Sequence, residues 1–312
     1  MATLVEFLSI RSWQPDCSVE EQLRALDAIE NGNVVYLPKL AFDLLPGEQR
    51  FLDPAISDGR AKNISYDPAS GSVAGTSLRG RDRLYLSEFV GRFSCSARAL
   101  VERMLPDYTP HLRTARTSFR PVEVCGRKAS SKKDDTRLHV DAFASSPNQG
   151  RRLLRVFCNV NPEGRPREWL IGGRFEPYAE RFLPKVRRQL PLEARMLKAL
   201  RITKSVRTPY DHLMLGLHDA GKADDEFQAN TTKLAFGFPA GSTWVCFTDI
   251  TLHAALGGQF LLEQTFLLPV DAMRRPERSP LRILERLCGR RLMDSDASNI
   301  QAPQASPPPA VA

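Results

Sequence analysis

Gly241-Ser-Thr-Trp-Val-Cys-Phe-Thr-Asp-Ile-Thr-Leu-His253 runs from a glycine through aromatic and β-branched residues to a polar turn and a histidine, and the apolar run Gln259 to Leu268 follows it. Such a stretch reads as strand, turn, histidine, strand. Upstream, Arg137-Leu-His-Val-Asp141, Leu153 to Val160 and Leu234 to Phe238 are short runs of the same kind, each bounded by Gly, Pro or Asn. Asn33 to Leu37 adds a β-branched and aromatic strand ended by Pro38. Helical signals lie between and before these runs. Ser18 and Glu21 form a capping box ahead of Leu23, Leu26 and Ile29, which predicts a helix over Val19 to Asn31. Leu86, Phe89, Val90, Phe93, Ala97, Leu100, Val101 and Met104 recur at i, i+3, i+4 and predict a helix over Leu84 to Leu105. Residues 53–83, rich in Gly, Ser, Asp and Pro, read as loop with at most short strands. A helical interlude is expected over Pro177 to Leu200, and a short helix over Tyr210 to Leu217.

Short strands with helices packed around them argue for an α+β chain with a jelly-roll or barrel core and flanking helices, rather than for alternating βαβ units. Residues 1–270 are expected to form a single domain, with supporting helices and strands over 1–110 and the chemistry over 111–270. Pro280 to Arg291 sets Leu281, Leu284, Leu287 and Cys288 against Arg282, Arg286, Arg290 and Arg291, so 271–293 reads as a basic C-terminal helix. The Ala-, Ser- and Pro-rich residues 294–312 read as a disordered tail.

Composition narrows the function. In 312 residues, 42% are hydrophobic and 26% charged, enough for a sizeable core. No apolar run approaches the roughly 20 residues of a spanning helix. Met1 to Trp13 has no leading basic region and no small-residue cleavage site, so export is not expected. Six widely spaced cysteines without a C-x-x-C pair fit reduced thiols, and a cytoplasmic address is the expectation. The formal charge of +8 points to an anionic partner. Most of it sits between His111 and Arg155, where eleven Arg or Lys face only Glu123, Asp134, Asp135 and Asp141.

Within that basic stretch, His139 and Asp141 form the chain's H-x-D. Five histidines and 19 aspartates give about 0.3 such triplets by chance, so the triplet needs support. Extended backbone supplies it, because i and i+2 share a face and can approach one ion together. With His253 from the late strand-turn-histidine element, two histidines and a carboxylate would occupy one face of an octahedral metal and leave three positions open, as in non-heme Fe(II) oxygenases. Zinc with the same three ligands and an activated water is the rival reading, a hydrolase in which Glu263 would be the candidate base.

A 2-oxoglutarate-dependent enzyme must also hold the remote carboxylate of its co-substrate, for which a bidentate arginine is best suited. In the commonest pattern that cation follows the distal histidine by about ten residues, yet Leu261-Leu-Glu-Gln-Thr265 holds none. Arg155 is the leading replacement: Arg155, Phe157 and Asn159 share one face of a strand whose other face is Leu154, Val156, Cys158 and Val160. Arg151 is expected to be peripheral.

Arg120-Pro121, Leu138 to Ala142, Leu154 to Pro162, Trp169, Tyr210-Asp211-His212 with Leu217-His218-Asp219, and Leu252-His253-Ala254 with Leu262 to Thr265 together resemble the Kdo 3-hydroxylase family over most of residues 19–270. The resemblance implies a double-stranded β-helix and an Fe(II)-, 2-oxoglutarate- and O2-dependent dioxygenase that adds a 3-hydroxyl to the Kdo sugar of Kdo-lipid A, giving Ko in the lipopolysaccharide inner core. It implies that His139, Asp141 and His253 hold iron and that Arg120, Arg155 and Trp169 bind 2-oxoglutarate. Tyr210, Asp211 and His212 are candidates for shaping the sugar pocket.

Kdo-lipid A presents carboxylates and phosphates at the inner leaflet of the cytoplasmic membrane, where a basic surface would steer it. Peripheral association with anionic lipid is expected, with Pro280 to Arg291 as the candidate contact. A non-enzymatic basic module binding membrane or nucleic acid is the remaining alternative. Nucleic acid is not expected, since no recognised motif accompanies the charge.

Overall fold

The computed structural model describes residues 3–123, 132 and 134–293. The expected tail 294–312, and Cys125, Arg127, Lys128 and Lys133 of the basic stretch, lie outside the described residues.

Helix α1 (Val19–Glu30) opens as the capping box requires: the Ser18 hydroxyl accepts from the Glu21 amide, and the Glu21 carboxylate accepts from the Ser18 amide. Helix α2 (Gly80–Met104) buries the eight apolar residues that predict it and gains one more turn at its start. Both pack on one face of a large sheet. Its strands are β1 (Val5–Phe7), β2 (Val34–Leu37), β3 (Ile64–Asp67), β4 (Ser72–Ala74), β5 (Arg113–Arg120), β6 (Arg152–Asn159), β9 (Thr243–Phe247) and β11 (Leu261–Leu268), in the order β1-β2-β9-β6-β11-β5-β3-β4. Every pairing is antiparallel except β1 with β2. The strands β7 (Arg167–Gly172), β8 (Lys233–Phe238) and β10 (His253–Gly257) form a second antiparallel sheet in the order β10-β7-β8.

The alternation along β6 decides how the layers meet. Leu154, Val156 and Cys158 enter the main core with α1 and α2, whereas Phe157 on the opposite face joins Tyr36, Trp169, Phe238 and Trp244 in a second apolar cluster between the two sheets. Phe157 and Phe238 each stack on Trp244, at 5.3 and 3.9 Å between ring centroids, and Trp169 meets Trp244 edge-on. The whole of β6 is buried, so its polar face lines an enclosed space rather than open solvent.

The run Arg137 to Asp141 is not a full strand. It touches β10 through a single bridge, His139 opposite His253. The helical interlude is two helices, α3 (Phe175–Phe182) and α4 (Glu193–Ala199), because Pro184 and Pro191 interrupt it. Next come α5 (Pro209–Ala223), capped by Thr208 and Asp211, and α6 (Asp225–Asn230). The expected C-terminal helix is present as α7 (Pro280–Cys288). Leu281, Ile283 and Leu284 are buried in the main core, Arg282 pairs with Asp271 and Glu285, and Arg286 pairs with Glu176. Its apolar face is used by the fold, and these two arginines pair with carboxylates at the surface.

A fully buried ion pair braces the turn from β9 to β10. Arg152 donates to both carboxylate oxygens of Asp249 at 2.7 and 3.1 Å, while the Thr248 amide donates to the Leu153 carbonyl. Arg152→Leu strands the Asp249 charge and is expected to lower unfolding stability by about 3–5 kcal/mol. Urea denaturation measures it; a loss below about 1 kcal/mol, the range of exposed pairs, would remove the pair's structural role.

Candidate metal centre

His139 and His253 exchange both backbone hydrogen bonds, at 3.0 and 2.9 Å, so they are directly opposed and their side chains leave the same face. Asp141, two residues on, returns to that face, and its amide is fixed on the Thr248 carbonyl at 2.8 Å. The ring centroids of the histidines lie 4.7 Å apart. Asp141 carboxylate oxygens lie 3.7 Å from His139 Nε2 and 3.9 Å from His253 Nε2. These distances are too long for hydrogen bonds, so the three groups converge without satisfying one another.

The outer ring nitrogens explain the orientation. His139 Nδ1 lies 2.7 Å from the Arg137 carbonyl and His253 Nδ1 lies 2.8 Å from the Thr251 carbonyl. A carbonyl only accepts, so Nδ1 carries the proton in both rings and Nε2 keeps its lone pair for an ion. Burial, then the neighbouring His253 and Lys222, hold the His139 imidazole well below its ordinary range, and burial lowers His253 too. Both are neutral at pH 7. Burial works to raise the Asp141 carboxyl, but the Arg155 guanidinium beside it prevails and holds it well below the usual carboxylate range. Asp141 Oδ2 is buried and makes no well-aligned hydrogen bond; its neighbour is the Arg155 guanidinium, an ion-pair contact at 3.1 Å. Two neutral nitrogens and an ionised oxygen, all within 4.8 Å of one another, suit a divalent cation.

The centre opens into a cavity of about 760 Å³ between the sheets. Arg155 on β6 reaches Asp141 Oδ2 at 3.1 Å and Glu263 on β11 at 3.0 Å. Arg120 on β5 donates to Glu263 through Nε and Nη2, at 3.1 and 2.6 Å. β11 lies between β5 and β6, and cross-strand neighbours put all three on one face. Burial raises the Glu263 carboxyl, yet Arg120 and Arg155 prevail and keep it below its ordinary range. A carboxylate clamped by two guanidinium groups is a poor base, which takes from the zinc-hydrolase reading the residue it needs.

Trp169 lines the cavity from β7 and stacks on His253, with 5.0 Å between centroids and 24° between planes. Its indole N–H is buried and unpartnered, as is Nε of Arg155. Arg167, two residues before Trp169 on the same face, also lines the cavity; sequence reasoning missed it. It donates to the Gly258 carbonyl and has a buried, unpartnered Nε. Its spacing from Trp169 was the available signal.

Two expectations need correction. Arg151 is not peripheral but lines the cavity. Tyr210, Asp211 and His212 do not line it: Asp211 caps α5 and accepts from the Asn148 and Gln149 amides, and His212 Nε2 meets the Arg187 carbonyl at 2.8 Å.

Two buried histidines and one carboxylate at the base of a cavity between two sheets form the arrangement of the non-heme Fe(II) oxygenase class. The family model for 3-deoxy-D-manno-oct-2-ulosonic acid (Kdo) hydroxylase matches residues 12–291, and the chain belongs to that family. It is similar to the crystal structure of the Kdo hydroxylase KdoO, a non-heme Fe(II) alphaketoglutarate dependent dioxygenase, in complex with alphaketoglutarate and Fe(III): 46% identity, 94% of this chain and 98% of that one covered, TM-score 0.91. The cobalt(II) complex of KdoO gives 47% identity, 94% and 99% coverage and a TM-score of 0.92. The apo structure gives 47%, 94% and 98%, with a TM-score of 0.91. No curated protein sequence matches the chain.

Proposed function

We propose that this chain is an Fe(II)- and 2-oxoglutarate-dependent dioxygenase that hydroxylates C3 of the Kdo sugar of Kdo-lipid A, forming Ko. The observation that carries the proposal is the convergence of His139, Asp141 and His253, with both Nε2 lone pairs free, on a cavity walled by arginines. The two sheets are read as a double-stranded β-helix. Residues 1–270 are read as one oxygenase domain, in which 1–110 supports 111–270.

His139, Asp141 and His253 would hold Fe(II). Together with 2-oxoglutarate and O2, the metal supplies the oxidising power that turns a C–H bond into C–OH while 2-oxoglutarate becomes succinate and CO2. The chain's own residues bind and orient. Arg120 and Arg155 offer planar forks from β5 and β6 for the co-substrate carboxylates, and the Trp169 indole N–H offers a donor from the facing sheet. The aromatic layer of Phe157, Trp169, Phe238 and Trp244 closes the cavity on that side and excludes water. The substrate sugar enters among the cations at the outer end.

Kdo-lipid A lies at the inner leaflet, so the enzyme is placed in the cytoplasm, peripheral on the membrane. Among the described residues no helix is long and apolar enough to cross a membrane. Anaerobic addition of Fe(II) and 2-oxoglutarate tests the central claim: the weak visible band of the co-substrate chelated to Fe(II) is expected, followed by Kdo-dependent succinate formation in air. Iron loading without that band would favour zinc chemistry.

A further inference from the structure

Among the described residues, the segment 187–204 gathers an unusual number of large exposed apolar side chains. Leu190, Leu192, Met196, Leu200 and Ile202 are each between 54% and 70% exposed, and α4 has no buried residue. Leu192 caps the start of α4, Met196 lies within it and Leu200 caps its end, so three exposed apolar side chains recur every four residues along it. Glu193, Ala194 and Leu197 are half-buried on the side towards the protein, while Arg195 and Lys198 are exposed on the remaining arc. Six cations, Arg187, Arg188, Arg195, Lys198, Arg201 and Lys204, face a single acid, Glu193. Among the described residues only Arg187 has a carboxylate partner, which is that same Glu193. Leu192 and Arg201, which flank the helix, both hold positive φ, at 65° and 57°. An exposed contiguous apolar patch rimmed by unpaired cations marks an interaction surface.

Its position matters as much as its composition. The Lys204 amide donates to the Ser145 carbonyl at 2.9 Å, and Lys204, Ser205, Ser145 and Ser146 all line the catalytic cavity. The patch therefore adjoins the cavity mouth. We infer that residues 187–204 dock the enzyme on an anionic phospholipid surface: the leucines, Met196 and Ile202 enter the boundary between headgroups and acyl chains, and the cations meet lipid phosphates. This placement rests on the proposed reaction, because it turns the cavity towards the leaflet in which a lipid-anchored sugar acid resides. Charge selects the occupant: a second copy would bring five unmatched positive charges against five more, whereas an anionic bilayer matches both the charge and the apolar stripe.

Vesicle sedimentation of the full chain tests the docking without turnover. The wild-type chain is expected to sediment with phosphatidylcholine vesicles containing phosphatidylglycerol and not with phosphatidylcholine alone. The triple variant Leu192→Glu, Met196→Glu, Leu200→Glu should lose at least about tenfold in partitioning. Arg195→Gln with Lys198→Gln should lose on the order of 25-fold at low salt, from roughly fivefold per cation, and much less at high salt. These exposed positions should leave the melting temperature unchanged. Hydroxylation of a water-soluble, deacylated Kdo sugar should also be unchanged, while hydroxylation of vesicle-embedded substrate falls. Wild-type sedimentation that is absent, or equal in the triple variant, overturns the inference, as does a change confined to oligomeric state. Vesicle binding with no turnover of either substrate would instead overturn the proposed reaction and leave the docking surface standing.

Discussion

His253→Ala is expected to abolish Kdo hydroxylation, a loss well beyond the 10–100-fold that changes around a metal's ligands produce, while the protein stays folded. The fold survives because the ladder that carries His253 is made by backbone groups, His253 with His139 and Ala254 and Ala255 with β7. The function does not, because among the described residues only these three metal-ligating side chains converge on the site, and each supplies one donor atom. His139→Ala and Asp141→Asn should behave alike, the latter by removing the ionised oxygen in nearly the same shape. Cobalt(II) absorbance reads metal affinity directly and separates a lost ligand from slowed chemistry. If the His253 variant keeps its activity, the triad is wrong. His218 is then the next ligand to test, since its ring lies 5.3 Å from that of His139, whereas His212 is held elsewhere by the Arg187 carbonyl.

The triad was legible in the sequence because the two spacings that matter are local. His139 and Asp141 share a face whether their segment is a strand or, as found, one bridged pair, and the turn after β9 brings His253 to its partner. The walls of the cavity were less legible. β5 reads as part of a basic surface, since Arg113, Arg116 and Arg120 mask the alternation of Thr117 and Phe119, which are buried. β7 is only six residues long and follows Pro166, so Trp169 drew notice through family resemblance and Arg167 drew none. Amphipathic pattern also leaves open what a stripe faces. The stripe of α7 is buried and that of α4 is exposed, although both carry leucines against arginines. Pattern reports that an apolar face exists; the tertiary contacts decide whether protein or something outside it provides the cover.

Arg155→Leu should weaken 2-oxoglutarate binding by about two to four orders of magnitude, from the roughly 3–5 kcal/mol lost when one member of a buried ion pair is removed. The same substitution should leave divalent-metal affinity intact or raise it. The sign follows from position: Arg155 lies 3.1 Å from Asp141 Oδ2, so the positive charge that attracts a dianionic co-substrate also repels a cation at the triad. Opposite movements of the two affinities distinguish loss of a binding group from general unfolding, which would lower both. Arg155→Lys should recover part of the co-substrate affinity, since a point charge reaches one carboxylate oxygen where the planar fork reaches two. Arg120→Leu should have a smaller effect on the metal, because its main partner is Glu263 rather than Asp141. The control is the exposed Arg11, in place of Arg151, which lines the cavity. Near-normal 2-oxoglutarate affinity in Arg155→Leu would reassign the carboxylate to Arg120 or to Arg167, whose buried Nε has no partner on the facing sheet. An equal loss in the Arg11 variant would reduce the effect to net charge.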